Sequence, residues 1–128
     1  YYTPTLISNV KQDNSIIQTE VFGPVITITS VKDDEEAINL ANDSEYGLAS
    51  SIWTKDVGKA LEISKKIQAG VTWINDHLPI ISEGPHGGVK GSGFGKDMSQ
   101  ESVLEYTTTH HIMIKHGQHE VKEGFRPV

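Results

Sequence analysis

Thirteen residues, "GPHGGVKGSGFGK" from Gly84 to Lys96, hold six of the chain's twelve glycines. Ordering such a run is costly in backbone entropy, because glycine loses more freedom on folding than any other residue. The stretch is therefore either a slack linker or a place where backbone must come very close to something. Flexible linkers are rich in Gly and Ser and carry little else. This stretch also holds Pro85, His86, Val89, Phe94 and two lysines, and it lies between a strand and a helix candidate. The sequence thus favours a fixed loop that approaches a ligand or a neighbouring segment, the kind of loop that often carries function. Neither common phosphate motif accounts for it. After Gly91 and Gly93 a dinucleotide fingerprint needs a third glycine where Lys96 stands, and a P-loop needs Ser or Thr where Asp97 follows Gly95-Lys96. A nest of backbone N–H groups around some other anion stays open.

Around the loop, short β-branched runs alternate with helical patterns. "VFGPVITITSV" places Val25, Ile26, Ile28 and Val31 in a mostly buried strand. "DDEEAINLAND" is a helix with Asp33 as N-cap, Glu36 at capping-box spacing and acids in the first turn; Asn42, Asp43 and Gly47 close it. "GLASSIWT" is a second strand. "DVGKALEISKKIQAG" is a helix with Val57, Ala60, Leu61, Ser64 and Ile67 on one stripe and Gly70 as its C-cap. "VTWI" is a third strand. "DMSQESVLEY" is a short helix capped by Asp97 or Ser99, and "TTTHHIMIKH" is a last strand. Residues 1–20 show no period, and "GQHEVKEGFRPV" is a polar tail for which disorder is left open.

This β-α-β-α-β, loop, α, β order implies an α/β layer of parallel strands with helices against the sheet. At 128 residues the chain is about one domain long, enough to bury a core. No apolar run approaches a membrane span and no secretory leader pattern opens the chain, so a soluble, cytoplasmic protein with no membrane partner is expected. The start at Tyr1, without methionine, reads as a cut inside a longer protein. A net charge of −6, with no basic stripe, argues against nucleic acid. The absence of cysteine excludes a disulfide framework, a thiolate zinc site and a cysteine nucleophile within these residues. His110, His111, His116 and His119 raise the question of a metal, but adjacent histidines on a strand point to opposite faces, so none is assigned.

Four stretches, in order, resemble NAD(P)-dependent aldehyde dehydrogenases. "EVFGPVITI" resembles the E-x-F-G-P-V signature, and "ANDSEYGLASSIWTKD" the A-N-x-x-x-Y-G-L-A stretch. "AGVTWIND" resembles the strand that ends in asparagine, and "GPHGGVKGSGFGKD" the P-x-G-G-x-K-x-S-G-x-G segment near the C-terminus. Within that superfamily "TWINDH" followed by "PHGG" is most similar to the aminobutyraldehyde and betaine aldehyde branch.

The resemblance implies that residues 1–105 are the C-terminal part of a catalytic domain, 106–116 an oligomerisation strand and 117–128 the tail. It implies oxidation of an aldehyde, in this branch an aminoaldehyde, to the acid with NAD or NADP. A cysteine nucleophile and a glutamate base would lie upstream of Tyr1, so no catalytic residue is assigned in this chain. Glu20 matches the carboxylate that accepts hydrogen bonds from the nicotinamide ribose hydroxyls, and Phe22 the aromatic beside the nicotinamide ring. His86 matches a position lining the aldehyde tunnel. Asp76 and His77, with Asn75, border the same pocket, where Asp76 would attract the ammonium of an aminoaldehyde. Thr108, Thr109, His110, His111, Ile112, Met113, Ile114 and Lys115 form the strand that would join a partner subunit's sheet in a dimer or tetramer. The resemblance also has the glycine loop approach the protein's own catalytic floor rather than a phosphate. The alternative is a stand-alone, non-catalytic oligomerisation or binding module with the same fold.

Overall fold

A computed structural model describes residues 1–117; Gln118–Val128, including His119 and nearly all of the polar tail, lie outside the described residues. Ten elements follow one another: β1 (Thr5–Ser8), α1 (Ser15–Gln18), β2 (Val25–Ile28), α2 (Asp34–Asn42), β3 (Tyr46–Gly47), β4 (Ala49–Ile52), α3 (Val57–Ser64), β5 (Val71–Ile74), β6 (Val89–Lys90) and α4 (Ser99–Glu105). β1 pairs with β2 in parallel, Thr5 opposite Val25, and β4 pairs with β5 in parallel, Ala49 opposite Val71. Each pair is joined through a helix, as a parallel connection requires. β3 and β6 pair antiparallel, Tyr46 opposite Lys90. The α/β class with parallel strands stands, laid out as three two-stranded ladders rather than one layer.

Local chemistry explains the helix starts. Asp33 Oδ1 accepts the Glu36 N–H at 2.9 Å, while Glu36 Oε2 reaches back to the Lys32 N–H at 2.7 Å. Asp56 Oδ1 caps α3 through the Lys59 N–H at 2.9 Å. Lys59 crosses to Asp34 at 2.7 Å, and that hydrogen-bonded carboxylate raises the lysine's pKa above its ordinary value. Both groups are about half exposed, so the pair adds little stability.

Four expectations are corrected. Gly47 does not close α2; the helix stops at Asp43, and Gly47 is buried in β3. Gly70 does not cap α3, whose cap is Lys65; a side chain at Gly70 would overlap the Gly87 carbonyl oxygen. Neither Asp97 nor Ser99 is the N-cap of α4. That place is held by Met98 at φ 61 with no side-chain cap, and Ser99 instead bonds the Glu101 carboxylate, holding its pKa below the usual range. The independent core is not there either. Ala60 is the only buried apolar residue among the described residues, and its stripe partners Val57 and Leu61 are half exposed.

The expected last strand forms no ladder among the described residues. Thr107–His116 has no regular secondary structure and is exposed throughout.

Candidate functional site

The glycine loop is docked, not slack. His86 and Asp97 exchange both backbone hydrogen bonds, 2.8 and 2.7 Å, which closes the loop at its base. The Gly91 N–H donates to the Glu45 carbonyl at 2.7 Å, and Ser92 Oγ accepts the Gly47 N–H at 2.9 Å. A Cβ on Gly87 would overlap the Gly95 carbonyl, just as one on Gly70 would overlap Gly87. Lack of side chains therefore lets the loop lie on the turn before β5 and on β3. We expect Gly70→Ala to lose about 1–3 kcal/mol of stability, as overpacking of backbone typically does. Urea denaturation of the full-length protein checks this, and an unchanged midpoint would show that the loop is not held there.

Glu20 stands beyond α1 on the rim of a cavity of about 580 Å³. Thr19, Ser44, Tyr46, Gly91 and Ser92 share the lining. Among the described residues no side chain or peptide group bonds its carboxylate, so both oxygens keep their acceptor capacity. Phe22, two residues on, is fully exposed at 97% and does not line that cavity. A tight turn, Gly23 N–H to Val21 carbonyl at 2.8 Å, throws the ring outward. The next carbonyl, of Pro24, accepts the Thr5 N–H at 2.8 Å and starts the β1–β2 ladder.

In a second cavity, largely apolar and of about 290 Å³, half-buried His86 shares the lining with Val71, Trp73, Pro79, Ile80 and Ile81. Trp73 Nε1 donates to the Pro79 carbonyl at 3.0 Å and so fixes the wall opposite His86. His77 does not line this cavity. Its Nδ1 meets Ser51 Oγ at 2.6 Å, and its ring stands edge-on to Trp73, centroids 5.5 Å apart at 74°. Asp76 does not line it either; Oδ1 accepts the His77 N–H at 2.8 Å, and the side chain is exposed. Asn75, at φ 55, is engaged with both backbone groups of Thr54, each at 2.8 Å, locking the ends of β4 and β5 together. The structure thus sets Glu20 and His86 in two separate cavities, each lined in part by the glycine loop, and leaves Phe22, Asp76, His77 and Thr108–Lys115 outside both. Trp73 and Pro79–Ile81 are wall residues that sequence reasoning missed; the apolar run "LPII" in a loop was the available signal. Among the described residues no three His, Cys, Asp or Glu side chains cluster as a metal site would need. No helix among them is long and apolar enough to cross a membrane.

Residues 1–112 match the model of the aldehyde dehydrogenase family. The chain is 43% identical over 112 residues to a betaine aldehyde dehydrogenase of Bacillus subtilis (strain 168), covering 88% of this chain and 23% of that protein. It is 38% identical over 117 residues to an aldehyde dehydrogenase of Davidiella tassiana, covering 91% and 24%. Among solved structures, it resembles betaine aldehyde dehydrogenase from Staphylococcus aureus in complex with NAD+, with a TM-score of 0.80 and 44% identity, over 83% of this chain and 21% of that one. The chain therefore spans about a quarter of the length of the relatives it matches.

Proposed function

Because the chain belongs to the aldehyde dehydrogenase family, we propose that it is the C-terminal portion of an enzyme that oxidises an aldehyde, in the first place an aminoaldehyde such as betaine aldehyde, to the carboxylic acid with NAD(P)+. The observation that carries this reading is Glu20, whose carboxylate has no partner among the described residues and which lines a cavity together with Gly91 and Ser92. Bound nicotinamide cofactor supplies the hydride acceptor, while the cysteine nucleophile and its glutamate base belong to residues outside this segment, which has no cysteine.

The segment's own part is to bind and orient. Glu20 accepts from the two hydroxyls of the nicotinamide ribose, a match between a two-oxygen acceptor and a diol. Phe22, exposed on its turn, packs beside the nicotinamide ring. His86 and the apolar wall opposite it line the aldehyde's path and exclude water from it. Asp76, exposed, outside the His86 cavity and free of any cation among the described residues, draws the ammonium of the substrate toward the mouth of that path, and His77 borders the same entrance. Thr108–Lys115 adds as a strand to a partner subunit's sheet, since the segment is exposed throughout and rich in β-branched residues. A stand-alone module with the same fold is disfavoured by Phe22, Phe94 and Tyr106, all more than nine-tenths exposed in a chain with one buried apolar residue among those described.

The test is NADH formation by the full-length protein with betaine aldehyde, aminobutyraldehyde and an alkyl aldehyde of equal length. Faster turnover of the cationic aldehydes supports the reading, and no turnover of any of them refutes it. His86→Ala is expected to change the ranking of these substrates by roughly tenfold, because a pocket wall contributes about 1–3 kcal/mol of discrimination. Comparing kcat/KM across the three checks this; an equal large loss for all would give His86 a role other than lining the path.

A further inference from the structure

The end of α2 is held in a way that the proposed chemistry does not use. Four carbonyls between Leu40 and Ser44 each accept a side-chain donor from a distant segment. Gln12 Nε2 donates to the Leu40 and Asp43 carbonyls at 3.1 and 3.0 Å. Gln18 Nε2 donates to the same Asp43 carbonyl and to that of Gln12, each at 2.9 Å. Lys90 Nζ donates to the Asn42 and Ser44 carbonyls at 2.7 and 3.1 Å. A helix leaves its last carbonyls without intrahelical partners, and their partial negative charge favours an ammonium there.

These donors tie together the walls of the Glu20 cavity. Gln18 ends α1, two residues before Glu20, and Lys90 lies in β6, immediately before Gly91 and Ser92. Glu20, Ser44, Gly91 and Ser92 all line that cavity, whereas Lys90 and Gln18 do not. Lys90 also sits at φ 54, a left-handed backbone that glycine adopts freely and other residues adopt at a cost. A glycine there would relieve the strain but would lack the side-chain donor that reaches the helix end.

We propose that Lys90 and Gln18 are positioning residues for cofactor binding: by gripping neighbouring carbonyls of one helix end, they set the gap between Glu20 and the glycine loop. The inference rests on the cofactor role of Glu20 given above. It requires that removing the Lys90 ammonium weaken NAD+ binding although Lys90 lies outside the cavity, and that the effect pass through Glu20.

The experiment measures the NAD+ Kd and the aldehyde KM separately in the full-length enzyme, for Glu20→Gln, Lys90→Met, Lys90→Arg and the double variant Glu20→Gln/Lys90→Met. Lys90→Met is expected to weaken NAD+ binding on the order of tenfold, the scale of a charge-assisted hydrogen bond, with aldehyde KM little changed. Lys90→Arg, still a cationic donor, recovers most of the affinity. The double variant binds NAD+ no more weakly than Glu20→Gln alone, because coupled sites do not add. Wild-type affinity in Lys90→Met, or fully additive losses in the double variant, would overturn the inference. If Lys90→Met does not fold, Gln18→Leu carries the same expectations from the other side of the Asp43 carbonyl. Unchanged NAD+ affinity in Glu20→Gln by itself removes the cofactor reading, and this inference with it; a loss there beside an unaffected Lys90→Met removes this inference alone.

Discussion

Purified by itself, the 128-residue chain is expected to form no NADH from any aldehyde. The proposed chemistry needs a thiolate nucleophile, and the sequence contains no cysteine. In enzymes that use a covalent nucleophile, losing that one group removes on the order of 10⁶ of the rate. The group that would hold the far end of the cofactor is not among Glu20, Phe22 and the glycine loop, so positioning of the hydride acceptor is lost as well. The same chain is expected to self-associate, since Ile112, Met113 and Ile114 are consecutive apolar side chains all more than seven-tenths exposed. Absorbance of NADH and mass by light scattering read the two expectations independently. Measurable turnover would contradict the proposed division of labour, and a strictly monomeric species would show that Thr108–Lys115 is not a sufficient interface.

In the full-length enzyme, Glu20→Gln is expected to lower kcat by roughly tenfold to a hundredfold and to raise the KM for NAD+. The estimate follows from hydrogen bonds to a charged acceptor, each contributing about 1.5–3 kcal/mol. Stability should hardly move, because the carboxylate is exposed and no group among the described residues leans on it. Steady-state kinetics with NAD+ varied, beside a thermal melt, separate the two effects. A variant with wild-type kcat and KM would remove Glu20 from the cofactor site, and one that loses activity only because it unfolds would give it a structural role.

Elements built from local preference were readable in the sequence. Val25–Ile28, Ala49–Ile52 and Val71–Ile74 are strands, two of them rich in β-branched residues, and Asp33 with Glu36 marks the start of α2. What was not readable depends on distant partners. β1 is four residues long and exists by pairing with β2 across α1; β6 is two residues inside a glycine loop, paired with β3. Gly70 closes the helical pattern in the sequence, yet α3 is capped at Lys65, and what excludes a side chain at Gly70 is Gly87, which no local pattern reveals. Asp97 is a good capping type, but its backbone is already paired with His86, and the helix begins later. The core expected from length failed because that rule assumes a domain that buries its own apolar stripes, and Val57, Leu61, Phe94 and Tyr106 remain exposed here.

The site divides in the same way. Glu20 and His86 stand in contiguous motifs, which is why they could be named, and they do line cavities. Phe22 comes from the same motif as Glu20 but points outward on its turn, toward no other described element. Asp76 and His77 were placed by adjacency to the loop, whereas the wall opposite His86 is built by Pro79, Ile80 and Ile81, carried there by the Trp73 hydrogen bond. Gln12, Gln18 and Lys90 act on carbonyls up to 48 residues away, a relation that residue types and spacing do not encode.

The most direct test of the central claim follows the hydrogen of the aldehyde. Full-length enzyme, NAD+ and betaine aldehyde carrying deuterium on its carbonyl carbon are mixed, and the masses of NADH and acid are read together. The account predicts NADH that carries the deuterium, formed in step with an equal amount of unlabelled betaine. Unlabelled NADH, or acid formed without NADH, would contradict it.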